Sequence, residues 1–117
     1  MGKYVGRMPV EMLSDRLIRP TEYRKWQDAE RRFERRDKDR AIIEELEASI
    51  PKHGLTVPIQ LGISARHPTD VYVADGHHRA VALRNLGVDD FPFHWYWINN
   101  SGVRWESEPF PYHALGL

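Results

Sequence analysis

The sequence contains no cysteine, and that absence removes disulfides, thiol redox chemistry, cysteine nucleophiles and thiolate metal sites together. No apolar run approaches the ~20 residues a helix needs to cross a bilayer, so no membrane partner is expected. The opening Met1-Gly2-Lys3-Tyr4 lacks the apolar stretch of a secretory signal. Gly6 stands where a myristoylated chain would carry Ser or Thr. A cytoplasmic location is the expectation. Net charge is missing as well: 17 Lys and Arg balance 17 Asp and Glu, which gives no support for avid duplex binding through overall charge. Internal repeats and low-complexity segments are also lacking.

What is present describes a folded domain. Apolar residues make up 41% of the chain and include 4 Trp, 5 Tyr and 4 Phe, more large side chains than a disordered chain carries. A length of 117 residues fits one domain and leaves no room for two cores. The charge, balanced overall, is unevenly spread. Between Arg24 and Arg40 there are 8 basic and 5 acidic residues, a local excess of +3. The signs alternate, which reads first as a solvated helix face. Arg31, Arg32, Arg35 and Arg36 also make this stretch a candidate surface for DNA or a host protein.

Short strands and helices alternate along the chain. Met8-Pro9-Val10 reads as a first edge strand. Pro20-Thr21 then opens a charged helix with Thr21 as its cap, and Tyr23, Trp26 and Phe33 form a narrow apolar stripe on it. That helix ends or bends between Glu34 and Arg40. A second helix over 39–50 has Asp39 as cap, Ile43, Leu46 and Ile50 on one face, and Pro51 with Gly54 at its end. Strands follow over 56–63 and 71–74. His78 to Leu86 reads as a helix stopped by Gly87. A third of these strands, over 91–98, places Phe93, Trp95 and Trp97 on one face and His94 and Tyr96 on the other. Asn99-Asn100-Ser101-Gly102 is a turn, with Val103 to Glu106 a candidate return strand. The class is a small α/β or α+β domain.

The chemistry concentrates in Val73-Ala74-Asp75-Gly76-His77-His78-Arg79-Ala80. A strand runs into a glycine and a helix begins directly after it. Amides at a helix start have no intrahelical partner, and the helix dipole places partial positive charge there. Gly76 allows positive φ and close approach of an anion. His77, His78 and Arg79 add donors at the same place, so Gly76 to Arg79 form a candidate phosphate cradle. Asp75 would repel a bare anion, but it fits if Mg²⁺ bridges it to phosphate oxygens or if it accepts a proton. A purely structural strand–glycine–helix junction accounts for the same residues. The hairpin reading of Asp-Gly fails, because His78 to Leu86 has helical spacing.

Three sets of residues in order carry a family resemblance: Met8-Pro9-Val10-Glu11-Met12-Leu13; then Glu45 to Ile50 with His53-Gly54-Leu55 and Pro58-Ile59; then Val71 to Gly87. Together they resemble the ParB/sulfiredoxin-like domain over roughly residues 4–98. The resemblance implies a small α/β fold with a nucleotide-phosphate site at the box. It also implies phosphate contact by Gly76, His78 and Arg79. His77 stands where sulfiredoxins have their catalytic cysteine and partition proteins a glutamate, so sulfiredoxin chemistry is excluded. The string Asp75-Gly76-His77-His78-Arg79 is most similar to the free-serine kinase branch, in which such a box serves phosphoryl transfer. Against the family pattern, residues 21–36 look like a charged helical insertion, with a hairpin and tail over 99–117, all in one domain spanning 1–117. Small stand-alone members, common in phage genomes, are often labelled ParB-like nucleases.

The leading expectation is therefore a nucleotide-binding protein that takes a nucleoside di- or triphosphate with Mg²⁺. If it is an enzyme, it is a phosphotransferase or nucleotide hydrolase with Asp75 and His77 as catalytic candidates. The alternatives are a nucleic-acid-binding protein or nuclease and a non-enzymatic interaction module. A transition-metal site at His77 and His78 would need His53, His67, His94 or His113 to join, since adjacent helical side chains diverge by about 100°. Asp39 and Glu45 are candidate second acids, although helix capping and a solvated position are the plainer roles.

Overall fold

A computed structural model describes residues 3–99 and 105–117. Five strands form a mixed sheet in the order β1-β5-β3-β4-β2, with β1 at Gly6–Pro9, β2 at Ile18–Pro20, β3 at Ile59–Ser64, β4 at Val71–Asp75 and β5 at Asp90–Ile98. Register explains the core. On one face Ile59, Leu61 and Ile63 sit beside Phe93, Trp95 and Trp97. On the other side of β3, Leu61 and Ile63 meet Val73 and Val71, which are flanked in turn by Pro20 and Ile18. Period-two alternation thus gathers the β-branched and aromatic residues onto one surface. Three helices bury their apolar faces in the same core: α1 at Trp26–Arg35, α2 at Asp37–His53 and α3 at His77–Leu86. The opposite sheet face carries the partly exposed Gln60, Ser64, Tyr72, His94 and Tyr96. Among the described residues no helix is long and apolar enough to cross a membrane.

Several expectations are corrected by this geometry. The opening apolar patch divides: β1 stops at Pro9 and Val10–Met12 form a 3-10 turn. Pro20 and Thr21 do not open a helix. Pro20 ends β2, a parallel partner of β4, and the Thr21 hydroxyl donates to the Val73 carbonyl. The helix begins only at Trp26, whose amide donates to Asp15 Oδ1 at 2.8 Å. A side chain eleven residues upstream therefore caps α1, and no local motif announces it. Trp26 is fully buried, and its indole N–H donates to the Ile18 carbonyl at 2.9 Å.

The break between the helices falls where the loss of apolar residues suggested, at Arg36 in extended conformation. Helix α2 starts two residues before Asp39 and carries Pro51 inside its last turn, closing at Gly54. Strand β3 starts at Ile59, not at Thr56. On β5, Phe93 and Trp95 are buried while Trp97 is half-exposed. Phe110 from the tail covers Phe93 and Trp95 edge-on. The turn at Asn100 to Gly102 and the start of its return strand lie outside the described residues, but Trp105 forms an antiparallel bridge to Tyr96.

Candidate phosphate-binding cleft

Strand β4 hands over to α3 through one residue. Gly76 has φ 106° and ψ 30°, in the left-handed region. A Cβ there would lie 2.9 Å from Arg79 Nη2 and 3.0 Å from Ile59 Cδ1, so both backbone conformation and space demand glycine. Among the described residues no side chain caps α3. Its first helical bond runs from the Ala80 amide to the Gly76 carbonyl at 2.8 Å. The amides of His77, His78 and Arg79 precede that bond and have no helical acceptor, at the positive end of the helix dipole.

Each box side chain is held differently. Arg79 folds back over Gly76. Its Nη2 donates to Asp75 Oδ2 at 3.3 Å, and its Nη1 donates to the Val57 and Pro58 carbonyls at 3.4 Å. These are long bonds, so the guanidinium is positioned without being saturated. The Asp75 carboxylate is two-thirds exposed. His78 stacks on Phe33 of α1, with ring centroids 4.3 Å apart and planes 13° from parallel. Its Nε2 lies 2.8 Å from Asp39 Oδ1 on α2. Two helices therefore fix one imidazole, one by its face and the other by its nitrogen.

His77 is turned the other way. Its Nε2 accepts the Thr21 amide hydrogen at 3.0 Å, which puts the ring's own hydrogen on Nδ1. Tyr23 and Trp26 flank it at 6.2 and 6.4 Å. Burial pushes its pKa below the usual histidine value. The carboxylates of Glu22 and Asp75 oppose that shift, and His78 adds to it. A neutral imidazole is what the Thr21 bond requires. With Nε2 accepting the Thr21 hydrogen, Nδ1 is the ring nitrogen of His77 left to donate.

A cleft of about 560 Å³ opens over the box. Asp75 to Arg79 line one part, and Arg32, Phe33 and Arg36 from the α1–α2 junction line another. Asp39, Ile42 and Leu46 of α2, with Glu22 and Tyr23, complete it. Asp39 is thus a partner of His78, not the cap of α2, which starts before it. The four arginines grouped by sequence separate, since Arg32 and Arg36 line the cleft and Arg31 and Arg35 do not. Phe33, part of the apolar stripe on α1, is also a wall of the cleft. His94 lies elsewhere, with Nδ1 on the Tyr4 carbonyl, and Tyr96 packs on Trp105. Among the described residues no group of three or more His, Asp or Glu side chains could hold a metal ion, so the multi-histidine metal reading gains no support.

The fold is of the ParB/sulfiredoxin type. It is similar to sulfiredoxin from Arabidopsis thaliana, with a TM-score of 0.51 and 23% identity over 83% of this chain and 86% of that one. It is also similar to the C-terminally truncated chromosome-partitioning protein ParB from Caulobacter crescentus complexed with CTP-γ-S. There the TM-score is 0.53 and the identity 20%, over 84% of this chain and 47% of that one, so the chain spans about half of that protein. No protein-family model and no curated protein matches the sequence.

Proposed function

We propose that the cleft binds a nucleotide through its phosphates. The observation carrying this reading is the uncapped α3 N-terminus on the cleft, with Arg79 folded over Gly76 and His78 beside it. A helix start of this kind supplies amide donors and partial positive charge to a phosphate. The similar partition protein holds a cytidine triphosphate analogue, which supports a nucleotide as the ligand class. The cleft volume of about 560 Å³ is sufficient for one such molecule.

Asp75, exposed at the rim, would hold a Mg²⁺ arriving with the nucleotide, because Mg²⁺ takes one or two carboxylates and completes its shell with phosphates and water. The ion would supply neutralisation of phosphate charge. In phosphoryl transfer or nucleotide hydrolysis this chain would contribute mainly position and charge. The α3 amides and Arg79 would hold phosphate oxygens, the Asp39-oriented His78 would donate to one, and Asp75 would be the acid nearest the reacting groups.

The test is calorimetry with ATP, ADP and CTP, with and without Mg²⁺, on wild type and Arg79→Ala. Binding by wild type that weakens by about tenfold or more in the variant is expected, as for loss of a charge-assisted bond. Undetectable binding of every nucleotide at millimolar ligand would overturn the reading.

A further inference from the structure

We infer that Arg32 and Arg36 form the distal half of this site, take the terminal phosphates of a nucleoside triphosphate, and set its preference over a monophosphate. The inference rests on the nucleotide reading above and adds residues from outside the box. Its basis is the charge distribution inside the cleft. The box arginine already has a carboxylate partner, Asp75, and the box histidine has Asp39. Arg32 and Arg36 line the same cleft, and among the described residues neither forms an ion pair. The remaining carboxylate of the lining, Glu22, lies at the His77 end, where it acts on that imidazole.

Position reinforces the charge argument. Arg32 precedes Phe33, and Arg36, at the extended break between α1 and α2, lies three residues after Phe33 and three before Asp39. Phe33 and Asp39 are the two residues that clasp His78. The backbone carrying the two arginines is therefore fixed against the box through both contacts. A helix N-terminus offers roughly half a positive charge, far less than a triphosphate tail carries. Two unpaired guanidiniums, each a planar fork of donors suited to phosphate oxygens, supply the rest. A monophosphate seated at α3 would leave them unused.

Calorimetric titration with CTP, CDP and CMP, and with the adenosine series, at fixed Mg²⁺ tests this. The proteins are wild type, Arg32→Ala, Arg36→Ala, Arg79→Ala and the controls Arg31→Ala and Arg35→Ala from outside the cleft. Each cleft substitution on α1–α2 is expected to weaken triphosphate binding by about tenfold, as for one charge-assisted contact. Monophosphate binding changes by less than about threefold, because the helix start that holds it is untouched. The controls leave both affinities in place, and Arg79→Ala weakens every phosphate length. Three results overturn the inference while leaving the nucleotide site standing: equal wild-type affinity for tri- and monophosphate, an unchanged ratio in Arg32→Ala and Arg36→Ala, or the same loss in the controls. Absence of nucleotide binding in wild type overturns both.

Discussion

Replacing Gly76 by alanine tests the junction at the centre of the site, and Gly87 provides its control. Both glycines have positive φ, 106° and 65°. The surroundings differ: a Cβ on Gly87 would meet nothing within 4 Å, whereas on Gly76 it would meet Arg79 and Ile59 at about 3 Å. Gly87→Ala therefore carries only the conformational cost of a left-handed L-residue, about 1–2 kcal/mol. Reduced freedom of the unfolded chain offsets roughly 0.4–1 kcal/mol of that. Gly76→Ala adds the displacement of Ile59, which is fully buried, and overpacking of that kind costs about 1–3 kcal/mol. Arg79 is the softer neighbour and moves aside, giving up its contact with Asp75.

In thermal unfolding followed by circular dichroism, each kcal/mol corresponds to roughly 4 °C for a domain of this size. The expected fall is about 4 °C for Gly87→Ala and about 8–16 °C for Gly76→Ala. Nucleotide titration below the transition completes the assay. Gly87→Ala should bind as wild type does, while Gly76→Ala should lose affinity through the displaced guanidinium. If the two variants melted together and bound alike, neither the packing at Gly76 nor its role as an anion seat would survive.

His77→Gln removes a titrating group while keeping an oxygen that can accept the Thr21 amide hydrogen. Burial lowers the folded pKa of His77, so as pH falls below about 6.5 the unfolded chain takes up this proton first and folding loses stability. The loss is complete below the folded pKa. Urea unfolding between about pH 5 and 8 should give a shallower decline for the variant, and parallel profiles would refute the account. Trp26→Phe leaves the Ile18 carbonyl without its indole donor, a loss of about 1–3 kcal/mol in denaturant unfolding. A change below about 0.5 kcal/mol would show that the bond does not anchor β2 to α1.

The elements most legible in the sequence are those whose signals are local. Strand β4, Gly76 and α3 with its Gly87 stop are visible because apolar alternation, glycine and helical spacing follow one another within seventeen residues. The aromatic face of β5 is visible for the same reason. Strand β2 was hidden: three residues containing a proline carry no periodicity, and only pairing with β4 makes them a strand. The start of α1 was hidden as well, because its amide partner is Asp15. In the candidate site, the strand–glycine–helix junction was legible from residue type. The roles of His77 and Asp39 were not, since each is decided by one hydrogen bond to a residue 56 or 39 positions away.

Those two distant bonds explain why the charged helices belong to the site. A strand–glycine–helix box presents amides, but it does not orient the imidazoles that follow the glycine. Here His77 is drawn to the Thr21 amide and His78 is pinned between Phe33 and Asp39. The segment between β2 and α2 thus supplies a partner for each histidine and brings Arg32 and Arg36 to the cleft. Phe33 is 4% exposed, so the residue that docks α1 on the core is the same residue that fixes His78. Packing of the helical segment and geometry of the proposed phosphate seat are therefore coupled through one side chain. A substitution that loosens α1 from the core must also take away the ring on which His78 stacks, leaving Asp39 alone to hold it, even when every residue of the box is left intact.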